Sequence, residues 1–132
     1  MDLTISRVLL DEMRRAAAAS PDREICGLLL GRNRRIEGLL PCDNVAAMPE
    51  DSFEIDPVAL IAAHRAARTG GPAVIGHYHS HPRGTATPSA RDAEAAEPGS
   101  CWIIIAGNDV RGWFAAAAGR FDPMTLVEPD NR

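Results

Sequence analysis

The chain has 132 residues, 45% of them hydrophobic and 24% charged, with a formal net charge of −4. This suits one domain, residues 1–132, with a buried core; it argues against intrinsic disorder, and the acidic balance argues against a nucleic-acid partner. No apolar run approaches the roughly 20 residues that a bilayer span needs, so no membrane association is expected.

Met1 to Thr4 lacks the charged start and apolar middle of a secretory signal. Ser6 to Ala19 reads as a helix, with Val8, Leu9 and Met13 on one side. Ser20-Pro21-Asp22 breaks it. Ile25 to Leu30 (ICGLLL) is a short apolar run ending at Gly31, the pattern of a buried strand. Arg35 to Leu40 can return beside it as a hairpin partner, and Arg32, Arg34 and Arg35 around the turn read as a solvated loop rather than a phosphate site. A polar connection, Pro41 to Asp56, leads to a second helix, Pro57 to Arg68, capped by Asp56. Its His64 reads as a surface or packing residue.

Ala73 to His79 looks like a central strand and Ser89 to Glu97 a short third helix. Cys101 to Ala106 and Gly112 to Ala117 are two more strands, separated by a turn at Gly107-Asn108-Asp109, and Met124 to Val127 can add an edge strand. The expected fold is α/β, a central mixed sheet flanked by helices. Cys26, Cys42 and Cys101 are too few and too far apart for a disulfide framework, which points to reduced thiols and the cytoplasm.

The segment HYHSHPRGTATPSARD, His77 to Asp92, carries three histidines at alternate positions. Along an extended strand all three share a face, but neighbours are about 6.6 Å apart and the outer pair about 13 Å. One adjacent pair can therefore chelate an ion, and another ligand must come from elsewhere. Pro82 and Gly84 turn the chain, so Asp92 can reach a metal held by His79 and His81, leaving His77 outside. Two histidines, one carboxylate and a water make an open tetrahedral site of the kind catalytic zinc uses. The competing explanation is a capping box: Ser89-Ala90-Arg91-Asp92 fits S-x-x-D with no metal at all. Glu24 is the candidate base, with a rim carboxylate outside the core as its plainer reading. Spacing alone does not choose between these.

Taken together, Glu24-Ile25-Cys26-Gly27-Leu28-Leu29-Leu30-Gly31, then His79-Ser80-His81-Pro82, and Ser89-Ala90-Arg91-Asp92 with seven residues between His81 and Ser89, resemble the signature of the JAMM (MPN-plus) zinc metalloproteases. The likeness covers about residues 20 to 106. It implies a cytidine-deaminase-like core with one zinc held by His79, His81 and Asp92, and water in the fourth place. It implies Glu24 as the acid/base and Ser89 as the residue that hydrogen-bonds the oxyanion. Family members hydrolyse peptide or isopeptide bonds, often after the Gly-Gly tail of a ubiquitin-like protein. The chain is too short for both ubiquitin-gripping insertions of the eukaryotic enzymes, so it resembles the compact prokaryotic members acting on small ubiquitin-like or sulfur-carrier proteins. An extended substrate tail is expected to add to a sheet edge near the metal, with Ser52 to Ile55 (SFEI) as the candidate contact.

Other readings are weaker. An inactive MPN scaffold lacks one or more of these residues, and all five stand here. A metal-dependent phosphoesterase needs more ligands than four histidines in a short chain supply. A zinc deaminase would show H-x-E and P-C-x-x-C. A cysteine hydrolase built on Cys26 would resist chelators, but a buried cysteine acting as a small hydrophobe is commoner.

Overall fold

The fold comes from a computed structural model and is described for residues 1–129. Chain order is β1 (Asp2–Thr4), α1 (Arg7–Ala18), β2 (Cys26–Arg32), β3 (Arg35–Cys42), α2 (Pro57–Arg68), β4 (Ala73–Ser80), α3 (Ala90–Ala95), β5 (Cys101–Ala106), β6 (Asp109–Ala117) and β7 (Arg120–Val127). The strands lie in the order β1-β3-β2-β4-β5-β6-β7, and β1 also pairs with β7, which closes the sheet. β4 and β5 are parallel, as are the pairs made by β1, and the remaining pairs are antiparallel. The expected mixed α/β sheet is present. Met124 to Val127, however, is no edge: β7 begins at Arg120 and is paired with β6 on one side and β1 on the other. Three residues, Asp2–Thr4, are too few to show strand periodicity, so the element that covers this edge leaves no pattern in the sequence.

One face of the central strands forms the main core. Leu29, Tyr78, Ile103 and Ile105 pack there with Leu3, Ile5, Ile36, Met13 and Met124. Helix α1 covers this face, opened by Ser6, whose Oγ accepts from the Leu9 N–H at 3.2 Å. Its packed side is Leu9, Leu10, Met13 and Ala17, a spacing of three and four residues that follows the helical repeat. Val8, expected on this side, is instead 66% exposed. Ile103 and Ile105 are fully buried, each contributing about 1.5–3 kcal/mol through removal of apolar surface from water. Gly27 keeps β2 close to this core: a Cβ there would lie 2.3 Å from the Tyr78 ring.

Register places a different set of side chains on the opposite face. Leu28 is level with His77, which is level with Trp102; Cys26 is level with His79, which is level with Ile104. The hairpin between β2 and β3 turns through Asn33 and Arg34, both at positive φ (51° and 58°), as a two-residue turn matching strand twist requires. Helix α2 begins with Pro57 behind the cap Asp56, whose Oδ1 accepts from the Val58 N–H, and it packs near β4. Helix α3 stops at Ala95, short of the expected Glu97, because Ala96 turns to an extended conformation two residues before Pro98. No helix among the described residues is long and apolar enough to cross a membrane. The three cysteines are free.

Candidate metal centre

The site forms where β4 leaves the sheet. Ser80, between the two histidines, fixes the start of β2: its Oγ accepts from the Ile25 N–H at 2.9 Å and its own N–H donates to the Ile25 carbonyl at 3.1 Å. That places Glu24 beside the end of β4. The His81 N–H donates to Ile105 of β5 at 2.8 Å, which keeps the extended geometry one residue past the strand. His79 and His81 therefore project to one side, as alternation dictates.

Asp92 arrives from α3. Its Oδ2 is 3.2 Å from His79 Nε2 and 3.1 Å from His81 Nε2, and the two nitrogens are 3.0 Å apart. The capping box is present as well: Ser89 Oγ accepts from the Asp92 N–H at 3.1 Å, and the Ser89 N–H donates to Asp92 Oδ2 at 2.8 Å. The two explanations of S-x-x-D thus hold at once, with one carboxylate oxygen serving both the helix and the histidines. Glu24 completes the cluster, and a carboxylate oxygen of Glu24 and a ring nitrogen of each histidine lie within 4.8 Å of one another. Glu24, His79 and Asp92 are all buried.

The donor set fits a divalent ion. His81 Nδ1 lies 2.7 Å from the Thr85 carbonyl, which can only accept, so the proton sits on Nδ1 and Nε2 presents its lone pair in the neutral ring. Nε2 of both histidines and Oδ2 of Asp92 thus converge on one point, a cluster that a shared proton or a cation between them holds together. Tetrahedral zinc bonds of about 2.0–2.1 Å set ligands about 3.3 Å apart, close to the observed triangle. Glu24 Oε1 is buried with no hydrogen-bond partner among the described residues, as suits a carboxylate waiting for a solvent or substrate proton.

Electrostatics separate the carboxylates. Burial pushes the Glu24 carboxyl up to about 7, with Asp92 and Asp51 adding to the rise and His81 opposing it. Burial also disfavours the Asp92 anion, but the bonds from His79, His81 and the Ser89 N–H outweigh it and hold the carboxyl well below the usual range. Burial lowers His79. For His81 burial acts downward, but Asp92, the Thr85 carbonyl and Glu24 together raise it.

His77 stays out of the triangle. Its ring packs 4.1 Å from Trp102 and 4.9 Å from Phe53, centroid to centroid, and burial lowers its pKa to about 3. It lines a cleft of about 680 Å³ together with Leu28, Ile55 and Leu60. His64 is exposed on α2. Cys26 is buried and its thiol is pushed up to about 12, which leaves it un-ionised and gives a cysteine hydrolase no nucleophile.

Three contributors carry no local signal in the sequence. Phe53, in the segment expected only to contact substrate, stacks on His79, centroids 4.3 Å apart and planes 21° apart. Trp113 Nε1 donates to the Ala86 carbonyl at 2.9 Å, anchoring the loop whose Thr85 orients His81. Asn44 bonds to the backbone of Glu24 at 2.9 Å.

Known proteins share this arrangement of sequence and fold. Residues 6–117 match the family described as prokaryotic homologs of the JAB domain. The chain is 37% identical over 99 residues to the desampylase of Haloferax volcanii, covering 73% of this chain and 71% of that protein. It is 35% identical over 111 residues to a probable TtuB-protein conjugate cleaving protease of Thermus thermophilus, covering 84% and 74% of the respective chains. The solution structure of protein DSY2949 from Desulfitobacterium hafniense superposes with a TM-score of 0.82 at 27% identity, over 97% of this chain and 93% of that one. With the motif residues gathered at one end of β4 in a fold of this type, the chain belongs to the prokaryotic branch of the JAB/MPN (JAMM) metalloprotease family.

Proposed function

We propose that the whole chain, residues 1–132, acts as one zinc-dependent isopeptidase domain that cleaves after the C-terminal Gly-Gly of a small ubiquitin-like or sulfur-carrier protein. The observation that carries this reading is the convergence of His79, His81 and Asp92 to within 3.0–3.2 Å beside a buried, unpartnered Glu24. The names of the Haloferax and Thermus relatives support the substrate class. Reduced cysteines fit a cytoplasmic setting.

His79 Nε2, His81 Nε2 and Asp92 Oδ2 would hold the ion, with water in the fourth position. When bound, zinc supplies a water of lowered pKa and polarises the scissile carbonyl. Glu24, with its raised pKa, would serve as the acid/base, taking up a proton at its carboxylate and returning it to the departing amine. The Ser89 Oγ accepts from Asp92 and makes no donor bond among the described residues, so its O–H is free to stabilise charge on the carbonyl oxygen. Asp92, fixed by the Ser89 N–H, stays anionic. Trp102 and Phe53 keep bulk water from the buried side of His79.

The test is cleavage of a fusion placed after the Gly-Gly tail of a sulfur-carrier protein, using wild type beside Glu24→Ala. Wild-type cleavage abolished by a chelator, restored by zinc and absent from the variant is the expected result. Equal cleavage by Glu24→Ala overturns the role of Glu24; no cleavage by a zinc-loaded wild type overturns the substrate class.

A further inference from the structure

Glu24 precedes β2, so no strand ladder satisfies its backbone. Its N–H donates to the Pro49 carbonyl at 2.7 Å, and its carbonyl accepts from Asn44 Nδ2 at 2.9 Å. Both partners come from the connection between β3 and α2. Asn44 Nδ2 also donates to the Ser52 carbonyl at 3.0 Å, and its Oδ1 accepts from the N–H groups of Ala46 at 3.0 Å and Glu54 at 3.1 Å. This uses the full capacity of a primary amide, two donors and two lone pairs. The Ser52 carbonyl and the Glu54 N–H lie on either side of Phe53, whose ring stacks on His79. The segment is also tied through its backbone: the Val45 N–H donates to the Glu54 carbonyl at 2.9 Å and the Asp56 N–H to the Asp43 carbonyl at 3.3 Å, which flank the Asn44–Ile55 bridge, and the Asp51 and Ser52 N–H groups donate to the Met48 carbonyl at 3.1 Å. One half-buried side chain thus joins Glu24 to the segment that covers a histidine of the triangle.

We infer that Asn44 is a positioning residue: it clamps residues 45–55 across the metal centre, holding Phe53 over His79 and Glu24 at the rim. The inference deepens the metal-centre reading and rests on it. Asn44 touches none of the atoms that would bind the ion or substrate and acts only through Glu24 and Phe53. Asn44→Asp discriminates, because it retains the acceptors for Ala46 and Glu54 but loses both donors to the Ser52 and Glu24 carbonyls.

The test is amide hydrogen exchange residue by residue, with the rate at which a chelator strips zinc from the loaded protein, for wild type, Asn44→Ala and Asn44→Asp. In Asn44→Ala, Ala46 and Glu54 should exchange about tenfold faster, as loss of one or two net hydrogen bonds warrants, with the core strands unchanged. Zinc should be released faster too. Asn44→Asp should restore protection at both amides yet cleave with lowered kcat and unchanged KM. Unaltered exchange and zinc release in Asn44→Ala would overturn the inference, and so would an equal rise at every amide, which marks a purely global loss of stability. If wild type cleaves no Gly-Gly fusion, the substrate reading fails, while exchange and zinc release still decide the role of Asn44.

Discussion

Strands β2, β4 and β5 have two faces, and they are built to different rules. Toward α1, Leu29, Tyr78, Ile103 and Ile105 make an apolar core. Toward the site, His77, His79 and Trp102 are packed with Phe53. The buried side-chain atoms without a hydrogen-bond partner among the described residues are Glu24 Oε1, His77 Nε2 and His79 Nδ1. All three belong to the site. An unpaired buried polar atom costs about 1–3 kcal/mol, so one face supplies stability and the other holds groups at a cost in stability, poised for an ion and a substrate.

That contrast can be broken at several points. The largest effect is expected from Glu24→Ala in a zinc-loaded enzyme: activity falls about a thousandfold, within the usual range for losing an acid/base group, while metal content by elemental analysis is unchanged. On the other face, Ile103→Ala should cost about 2–5 kcal/mol in denaturant unfolding and leave the zinc stoichiometry intact. Chelation of zinc should remove the ligand expected to compensate the polar face. Unfolding of protein with and without free zinc at about 100 times Kd should differ by about 2.7 kcal/mol, and no difference would mean that no ion is bound there.

An effect of similar size concerns pH in the metal-free protein. Glu24 has its folded pKa raised to about 7 from 4.5, so the folded state holds the proton more tightly than the unfolded one. Its contribution therefore falls as pH rises from about 4.5 to about 7, and the penalty is fully present above that. Glu24→Gln should be more stable than wild type above pH 7 by up to about 3 kcal/mol and match it below pH 4.5, as measured by thermal unfolding across pH. The smallest change is Ser6→Ala at the α1 cap, about 1 kcal/mol in stability with no effect on zinc affinity.

Much of this organisation was legible in the sequence because the chemistry is concentrated in short segments. His79 and His81 are two residues apart on a strand, Asp92 is one turn into a helix, and both relations follow from local geometry. Local pattern made Glu24 a candidate base but left a rim carboxylate as the plainer reading, since its approach to β4 depends on the Ser80–Ile25 pairing. Asn44, Phe53 and Trp113 were not legible as supports, because their roles arise from the path of loops and from distant register. The same limit explains β1 and Val8: a three-residue strand has no period, and a helix with apolar residues at 8, 9 and 10 does not say which one turns outward.

Asp92 Oδ2 belongs both to the opening turn of α3 and to the histidine triangle. Helix α3 has six residues, too few to persist on local propensity alone. Occupancy of the triangle and helicity at residues 90–95 are consequently reciprocal quantities. With an ion held in the triangle, fraying of α3 would weaken that hold by the coupling free energy between the two, and the helicity of residues 90–95 would report on occupancy.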